Sequence, residues 1–399
     1  MMNQVVQPGK LPLALRITTR RRGEALPALK SRRSRCKVVK VRAEAYVSSA
    51  DEKPPVLQHM SPEDRALALR LLQKRRERRR VFSFLDWRRH RSQSRYIHHI
   101  QTIKESGVVR SIARPVMIVA ALSAVVAMYN YLFIVKPPWL PAWLPTPLTV
   151  AMEPIQLTTI ALSLLLVFRT NASYARWEEA RKSFGAITTV SRDIARQVLS
   201  WFPNSNEGRE GKDTACRWLI ALAKSSMVHL RDEHDLRQEV GSVLLEEELA
   251  RLEASGNRPM YCIQVLSQIF ATSGLPYNLV VCLDENLTRL VNAVYACERI
   301  LGTPIPLSYT RHTARFLMAW LFCIPFTLWP YSGWAMVPLA ALISFVLLGI
   351  EEIGIFLEEP FSVLALEHLC GSCADCIQSM SKSDKEISER LGGEGLQAQ

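Results

Sequence analysis

The amino-acid sequence predicts an all-α integral membrane protein with four transmembrane helices in each subunit. Two stretches, residues 115–135 and 316–350, contain no charged residue over 21 and 35 positions, which is enough to cross a bilayer as helix. Elsewhere apolar residues recur at spacings of three, four and seven, and no strand alternation of comparable length is present. Because these uncharged runs alternate with segments dense in Arg and Glu, a soluble globular protein and a disordered chain are both excluded.

Four stretches of the sequence are assigned to the spans. The second span contains Glu153 near its beginning and runs directly into Arg169. Its helix must therefore begin before Glu153, or stand away from lipid in the centre of an assembly. The 35-residue stretch is interrupted by Pro325, Pro330, Pro338 and Gly333, which predicts a hairpin of two short spans, with one kinked helix as the alternative. The spans lie at about residues 115–135, 148–168, 316–331 and 334–350.

Basic residues predict the orientation of these spans. With four crossings both termini lie on one side, and Arg and Lys cluster at the span ends on that side, whereas the other side has Lys136 and little else. The positive-inside rule then places both termini in the cytoplasm or in the stroma of an organelle. The flanking residues are Arg110, Arg114, Arg169, Arg176, Arg181, Lys182, Arg311 and Arg315.

The N-terminal segment, residues 1–43, has the composition of an organellar transit peptide. It holds 12 Lys or Arg and one acid, with Ser and Thr throughout and no apolar run of secretory-signal length. Its end, Val41-Arg42-Ala43, resembles a chloroplast cleavage site. A basic tail that binds nucleic acid or acidic lipid is the alternative, and mitochondrial import stays open on composition alone.

Residues 44–105 form a basic N-terminal segment, which we expect in the stroma. Between residues 65 and 114 there are 15 Lys or Arg and three acids. One interpretation of this charge is nucleic-acid binding. A basic block beside a span more often fixes topology and contacts anionic lipid. We therefore expect membrane lipid as a partner and no nucleic acid.

The remaining segments predict amphipathic helices outside the membrane. Residues 169–310 contain two long apolar periodicities, which predict stromal helices that bury one face against each other and against neighbouring subunits. The first helix continues from the second span, and residues 381–399 form a polar C-terminal tail. The periodic positions are Trp177, Ala180, Phe184, Ile187, Ile194 and Val198, then Leu283, Leu287, Leu290, Val294, Cys297 and Leu301.

No sequence motif of a known enzyme class is present. Phosphate-binding loops, nucleophile elbows, zinc-protease motifs and dinucleotide fingerprints are all absent. Cys370, Cys373 and Cys376 have the spacing of part of an iron–sulfur ligand set, but no fourth cysteine follows. We therefore expect no enzymatic activity, no metal and no cofactor.

Three segments carry a family resemblance. They read FRTNASYARWEEARK at residues 168–182, CERILGTPIP at 297–306 followed by Tyr309 and His312, and GIEEIG at 349–354 followed by EEPF at 358–361. Over residues 106–380 the chain resembles the bestrophin family in its bacterial and plant branch. The resemblance implies a homopentamer around one central anion pore, passing chloride and other monovalent anions. Together with the presequence it implies the thylakoid membrane.

The resemblance also implies which residues line the pore. In bacterial members the second helix lines a narrow hydrophobic neck with residues four positions apart, which correspond here to Ile160, Leu164 and Phe168. These positions lie on one helix stripe, which Leu157 and Asn171 extend. Such a neck has no fixed charge, so weakly hydrated anions should pass most easily, and it can close by dewetting. Taken alone, apolar span residues more often face lipid or other helices.

The chain departs from the family's animal members after residues 358–361. The Asp run that those members use to bind calcium is missing, so we predict no activation by Ca²⁺. The resemblance to the plant members implies a voltage-gated channel, but no voltage sensor is visible, because no span carries arginine at every third position. The predicted function is chloride passage that balances pumped protons and adjusts the proton-motive force. Alternatives are a membrane-anchored regulatory scaffold that binds acidic lipid or nucleic acid, and an anion/proton exchanger with Glu153 as its proton site.

Overall fold

A computed structural model describes residue 79 and residues 81–103, 106–135, 147–231 and 235–395. Over these residues the chain folds into helices joined by short connections, and no strand is formed among them. The predicted transit peptide, residues 1–43, lies outside the described residues. In chain order the helices are α1 Phe84–Arg91, α2 Arg95–Gln101, α3 Gly107–Val135, α4 Met152–Trp201, α5 Asn206–Leu230, α6 Leu236–Val240, α7 Glu246–Glu253, α8 Arg258–Ala271, α9 Tyr277–Gly302, α10 Leu307–Ser332, α11 Met336–Glu358, α12 Pro360–Val363 and α13 Leu366–Gly395.

Three helical segments of the described chain are long and apolar enough to cross a membrane. The first is α3, and the second is the 50-residue helix α4. The third, Leu307–Glu358, is two helices, because a 3₁₀ turn at Gly333–Ala335 separates α10 from α11. That all four helices span a bilayer remains a prediction.

Helices α10 and α11 fold back on each other as a hairpin. Leu317, early in α10, and Leu348, late in α11, share one buried cluster with Ile112 at the start of α3. Trp329 and Met336, on either side of the turn, share a second cluster with residues from the later part of α3. Since each end of the hairpin meets a different end of α3, its two arms are antiparallel and α3 packs along both.

The turn of the hairpin is built on one glycine and several aromatic rings. Gly333 has φ of +49°, in the left-handed region that glycine enters at little cost. The Trp334 ring lies 5.8 Å from the ring of Tyr131 and 6.5 Å from that of Trp329. Helix α3, the first half of α4, α10 and α11 together form a four-helix unit. The aromatic residues of the hairpin and of α3 therefore meet at one end of this unit.

The second apolar helix begins later than the predicted residue 148. Residues 147–151 are non-helical, and α4 begins at Met152. Buried Asn130 of α3 fixes this segment, because its amide donates to the Leu148 carbonyl (3.2 Å) and accepts from the Leu148 N–H (2.7 Å). The Val150 N–H donates to the carbonyl of Phe326 at 3.0 Å. Those backbone groups are engaged elsewhere, so they do not extend the helix.

The second half of α4 packs with α5, α8, α9 and α13 around one large apolar core. The periodicities of residues 169–310 lie on its buried faces, from Phe184 to Val198 on α4 and from Leu283 to Cys297 on α9. Leu301, in the last turn of α9, is an exception, since it is 46% exposed.

The C-terminal helix and part of the basic segment pack on this core. Helix α13 continues beyond the predicted start of the tail at residue 381, and Asp384 forms a 3.0 Å ion pair with buried Lys212. The Glu367 carboxylate lies 2.6 Å from Arg231 and 3.3 Å from Arg79. Residue 79 belongs to the basic segment, so that segment contacts the body of the protein at this point.

Candidate functional site

The predicted pore-lining residues form an exposed apolar stripe on the first half of α4. The exposed fractions are 74% for Leu157, 73% for Ile160, 53% for Leu164 and 58% for Phe168, and Asn171 is also exposed. At about 100° per residue these five positions fall within an arc of about 80°. Residues 160 to 168 cover about 12 Å along the axis, at 1.5 Å per residue. The structure therefore brings all five residues onto one accessible face.

The opposite face of α4 is buried. Leu162, Leu166, Arg169 and Ser173 are each at most 3% exposed. They lie on the side of the helix turned about 180° from the stripe. Helix α4 therefore packs against α10 and α11 through this face, and among the described residues the apolar stripe stays exposed.

A buried ion pair fastens α4 directly behind the end of the stripe. Arg169 follows Phe168 and is 1% exposed, and its guanidinium pairs with the Glu351 carboxylate of α11. Gly354 of α11 packs beside this group: a Cβ atom there would make ordinary van der Waals contacts, at 3.9 Å, with Arg169 Nε and Ser173 Oγ. A charge held in an apolar environment needs such a partner. The pair therefore fixes α4 against α11 at the level of Phe168.

Arg176, two turns further along α4, binds the ends of two other helices. Its Nε donates to the Glu358 carbonyl at 2.8 Å and its Nη1 to the Thr303 carbonyl at 2.6 Å. Its Nη2 donates to the carbonyl of Ile300. Carbonyl groups at a helix C-terminus lack partners in the helix and carry partial negative charge. Arg176 thus caps α9 and α11 and ties both to α4.

These contacts join the three segments that carry the family resemblance. Arg169 and Arg176 come from the first, the carbonyls of Ile300 and Thr303 from the second, and Glu351 from the third. The sequence indicates Arg169 and Arg176 as topology signals and motif residues but does not show which residues they contact. One sequence feature indicates a pairing of Arg169 with Glu351: each residue is the first charge after a long uncharged run.

An acidic residue stands at the other end of the stripe. Glu153 is exposed in the first turn of α4. It lies about 10 Å along the axis from Ile160 and within the same arc of the helix. The stripe therefore runs from a carboxylate, through apolar residues, to the amide of Asn171.

Two of the three cysteines whose spacing matches part of an iron–sulfur ligand set lie in the protein core. Cys370 and Cys373 are buried, and their thiols donate to the carbonyls of Ala223 (3.3 Å) and Thr188 (3.6 Å). Burial raises the pKa of the Cys373 thiol to about 11. Among the residues that the structure describes, no three His, Cys, Asp or Glu side chains are grouped to hold a metal ion.

Comparison with known proteins gives a family. The family model described as "Bacterial/Fungal Bestrophin protein" matches residues 86–379. The voltage-dependent chloride channel 2, chloroplastic, of Arabidopsis thaliana is 34% identical over 315 residues, which are 79% of this chain and 76% of that protein. The voltage-dependent anion channel-forming protein alr2987 of Nostoc is 32% identical over 245 residues, 59% of this chain and 80% of the relative.

Solved structures show the same fold. A bacterial bestrophin homologue from Klebsiella pneumoniae superimposes with a TM-score of 0.60 at 21% identity, over 68% of this chain and 98% of the other. The all-helical architecture, the matched family model and the plant relatives agree. The chain belongs to the bestrophin family.

Proposed function

We propose that the protein is an anion channel of the chloroplast thylakoid membrane, which passes chloride through a hydrophobic neck. The observation that carries the proposal is the exposed stripe of Leu157, Ile160, Leu164 and Phe168. It lies on a face of α4 that the described residues leave exposed, while the opposite face is fixed to α11 by Arg169. The names of the plant and cyanobacterial relatives, a chloride channel and an anion channel-forming protein, support the same function.

A closed ring of subunits would turn this stripe into a pore wall. Five copies of Ile160, Leu164 and Phe168 would surround an apolar constriction about 12 Å long. Phe ring edges carry partial positive charge, which favours an anion in the ring of Phe168. The neck itself holds no charged side chain, so the cost of removing water decides which anions pass, and dewetting can close it.

Charges beyond the neck would favour anions on one side. Arg110 and Arg114 are exposed at the start of α3, at the end of the four-helix unit where Arg169 and Arg176 also lie. Clefts lined by one sign of charge raise the local concentration of the opposite ion. We assign this end to the stroma by the positive-inside rule.

The proposed physiological role is charge compensation. Protons pumped into a closed compartment build an electrical potential that opposes further pumping. Chloride entering with them removes that potential and leaves the pH difference, so the proton-motive force shifts from its electrical to its chemical component. The names of the two chloroplastic relatives and the presequence composition support this location.

Planar-bilayer recordings of purified protein, residues 44–399, under a KCl gradient test the proposal. We expect a reversal potential near the chloride equilibrium value. Leu164→Ala and Phe168→Ala should change conductance or anion selectivity while size-exclusion chromatography shows an unchanged assembly. Val125→Ala is the matched control, because Val125 is a 66% exposed apolar residue on α3, away from the stripe.

Two results would contradict the proposal. A cation-selective current, or none, removes the chloride channel and favours a membrane-anchored scaffold. Neck variants that behave as Val125→Ala does would leave a channel whose path does not run along α4.

Cross-linking of the purified protein counts the subunits in the assembly. A number other than five would overturn the proposed pentamer.

A further inference from the structure

Charge is scarce at the end of the four-helix unit where the hairpin turns. Between Arg114 and Arg169 the only charged residues are Lys136 and Glu153, and between Arg315 and Glu351 there are none. Lys136 lies outside the described residues. Glu153 is therefore the single carboxylate that the sequence places at this end of the proposed pore.

Hydrogen bonds to the segment before α4 fix the position of Glu153 at the beginning of the stripe. Its helix begins at Met152, directly after the segment that Asn130 and the carbonyl of Phe326 hold by hydrogen bonds. Asn130 is fully buried. At about 100° per residue, position 153 falls about 20° from position 160, within the arc of the proposed pore lining. In a closed ring of subunits with this face inward, a carboxylate at position 153 would meet the water-filled path, where its charge stays hydrated.

We propose that Glu153 is a selectivity-determining residue of this channel: as a ring of carboxylates it opposes anions at the mouth, and its protonation favours them. This rests on the channel proposed above, with one Glu153 per subunit around the axis. Acid rings favour cations in channels. Acidification of the compartment that Glu153 faces would then increase anion selectivity without any movement of the helices.

The sign of the effect follows from the helix that carries Glu153. A helix N-terminus is equivalent to about +0.5 of an elementary charge. With Glu153 ionised, the net charge at the N-terminus of α4 in each subunit is about −0.5 of an elementary charge, and with Glu153 protonated it is about +0.5. Over five subunits the ring changes from about −2.5 to about +2.5. The contribution of Lys136 is the same in both states and does not alter the direction of the change.

The other titratable side chains described at this end of the proposed pore are tyrosines, which do not change charge over the acidic range. The described elements beside the start of α4 carry Tyr129 and Tyr131 on α3 and Tyr331 on α10. Tyrosine phenols are ordinarily uncharged in neutral and acidic solution. The structural alternative is that Glu153 only stabilises the first turn of α4 as an acid at its N-terminus. That role would change stability and leave selectivity unaltered.

The experiment measures the chloride-to-potassium permeability ratio from reversal potentials in planar bilayers. One side, then the other, is acidified from about pH 7.5 to about pH 4, so that carboxylates in contact with that solution can take up a proton. The wild type, Glu153→Gln and Glu153→Lys are compared. Glu207→Gln is the matched control, because Glu207 is also an exposed acid in the first turn of a helix, here α5, which packs in the large apolar core away from the stripe.

We expect the ratio at neutral pH to rise about threefold or more in Glu153→Gln and further in Glu153→Lys, as the local anion concentration increases. Acidification of one side only should raise the ratio of the wild type and of Glu207→Gln. It should leave Glu153→Gln unchanged.

Equal ratios in the wild type and Glu153→Gln at both pH values would overturn the inference. The channel itself would stand if the current still responded to Phe168→Ala. A reversal potential that follows a pH gradient in symmetric KCl would also overturn it, because Glu153 would then belong to coupled exchange. Absence of any anion current would remove the channel and the inference together.

Discussion

Replacing Arg169 with methionine removes one partner of a buried ion pair while keeping most of the side-chain volume. The Arg169 and Glu351 side chains are only 2% and 8% exposed, so the remaining carboxylate has little access to water. Breaking a pair of this kind costs about 3–5 kcal/mol. For a helical body of this size that corresponds to a fall of roughly 10 °C in apparent Tm.

The assay is thermal unfolding of the purified protein in detergent, followed by tryptophan fluorescence at one heating rate. Lys182→Met is the matched control: it breaks the Lys182–Glu178 pair on the same helix, where the side chains are 66% and 38% exposed. Water and salt screen such a pair, so we expect no measurable shift. In Arg169→Met/Glu351→Met no lone charge remains, and most of the lost stability should return.

Two results would refute this reasoning. If Arg169→Met unfolds at the same temperature as Lys182→Met, the pair behind Phe168 does not hold α4 against α11. If the double variant is as unstable as the single one, the loss comes from packing of the guanidinium and not from an unpaired Glu351.

Three further predictions concern other parts of the chain. Asn130→Ala removes both hydrogen bonds that hold Leu148, so chymotrypsin should cleave before α4 faster than in the wild type. Gly208→Ala places a Cβ 2.1 Å from the Pro203 carbonyl oxygen. Its apparent Tm should fall, and an unchanged value would contradict the close approach. Burial raises the pKa of the Cys262 thiol to about 12, so mass spectrometry should find Cys262 unmodified by maleimide at pH 8 until denaturant is added.

The helical class, the long apolar segments and the family could be predicted from the sequence because each depends on local pattern. The length of an uncharged run shows whether it can cross a bilayer as a helix. The spacing of the apolar residues between Phe184 and Val198 shows that they share one face of a helix. The five pore-stripe positions also lie on one face, because helical periodicity fixes their relative directions whatever surrounds them.

The contacts that position the stripe could not be predicted in this way. Arg169 pairs with a residue 182 positions away, and Arg176 bonds carbonyls 124 and 127 positions away. Periodicity carries no information about such separations. The start of α4 was misplaced by four residues for the same reason, since Asn130 and Phe326 lie in other segments. Whether the stripe faces a pore depends on neighbouring subunits, which one sequence does not describe.

The unbroken length of α4 has a mechanical consequence. Its 50 residues make a rod about 75 Å long, and beyond Pro154 its sequence contains no proline and a single glycine, Gly185. Kinks in helices arise mainly at such residues. In the proposed channel, a tilt of the half of α4 that packs in the large apolar core is therefore carried to Phe168 without a proline hinge, and the Arg169–Glu351 pair carries α11 with it. The large apolar core is thereby coupled mechanically to the proposed neck.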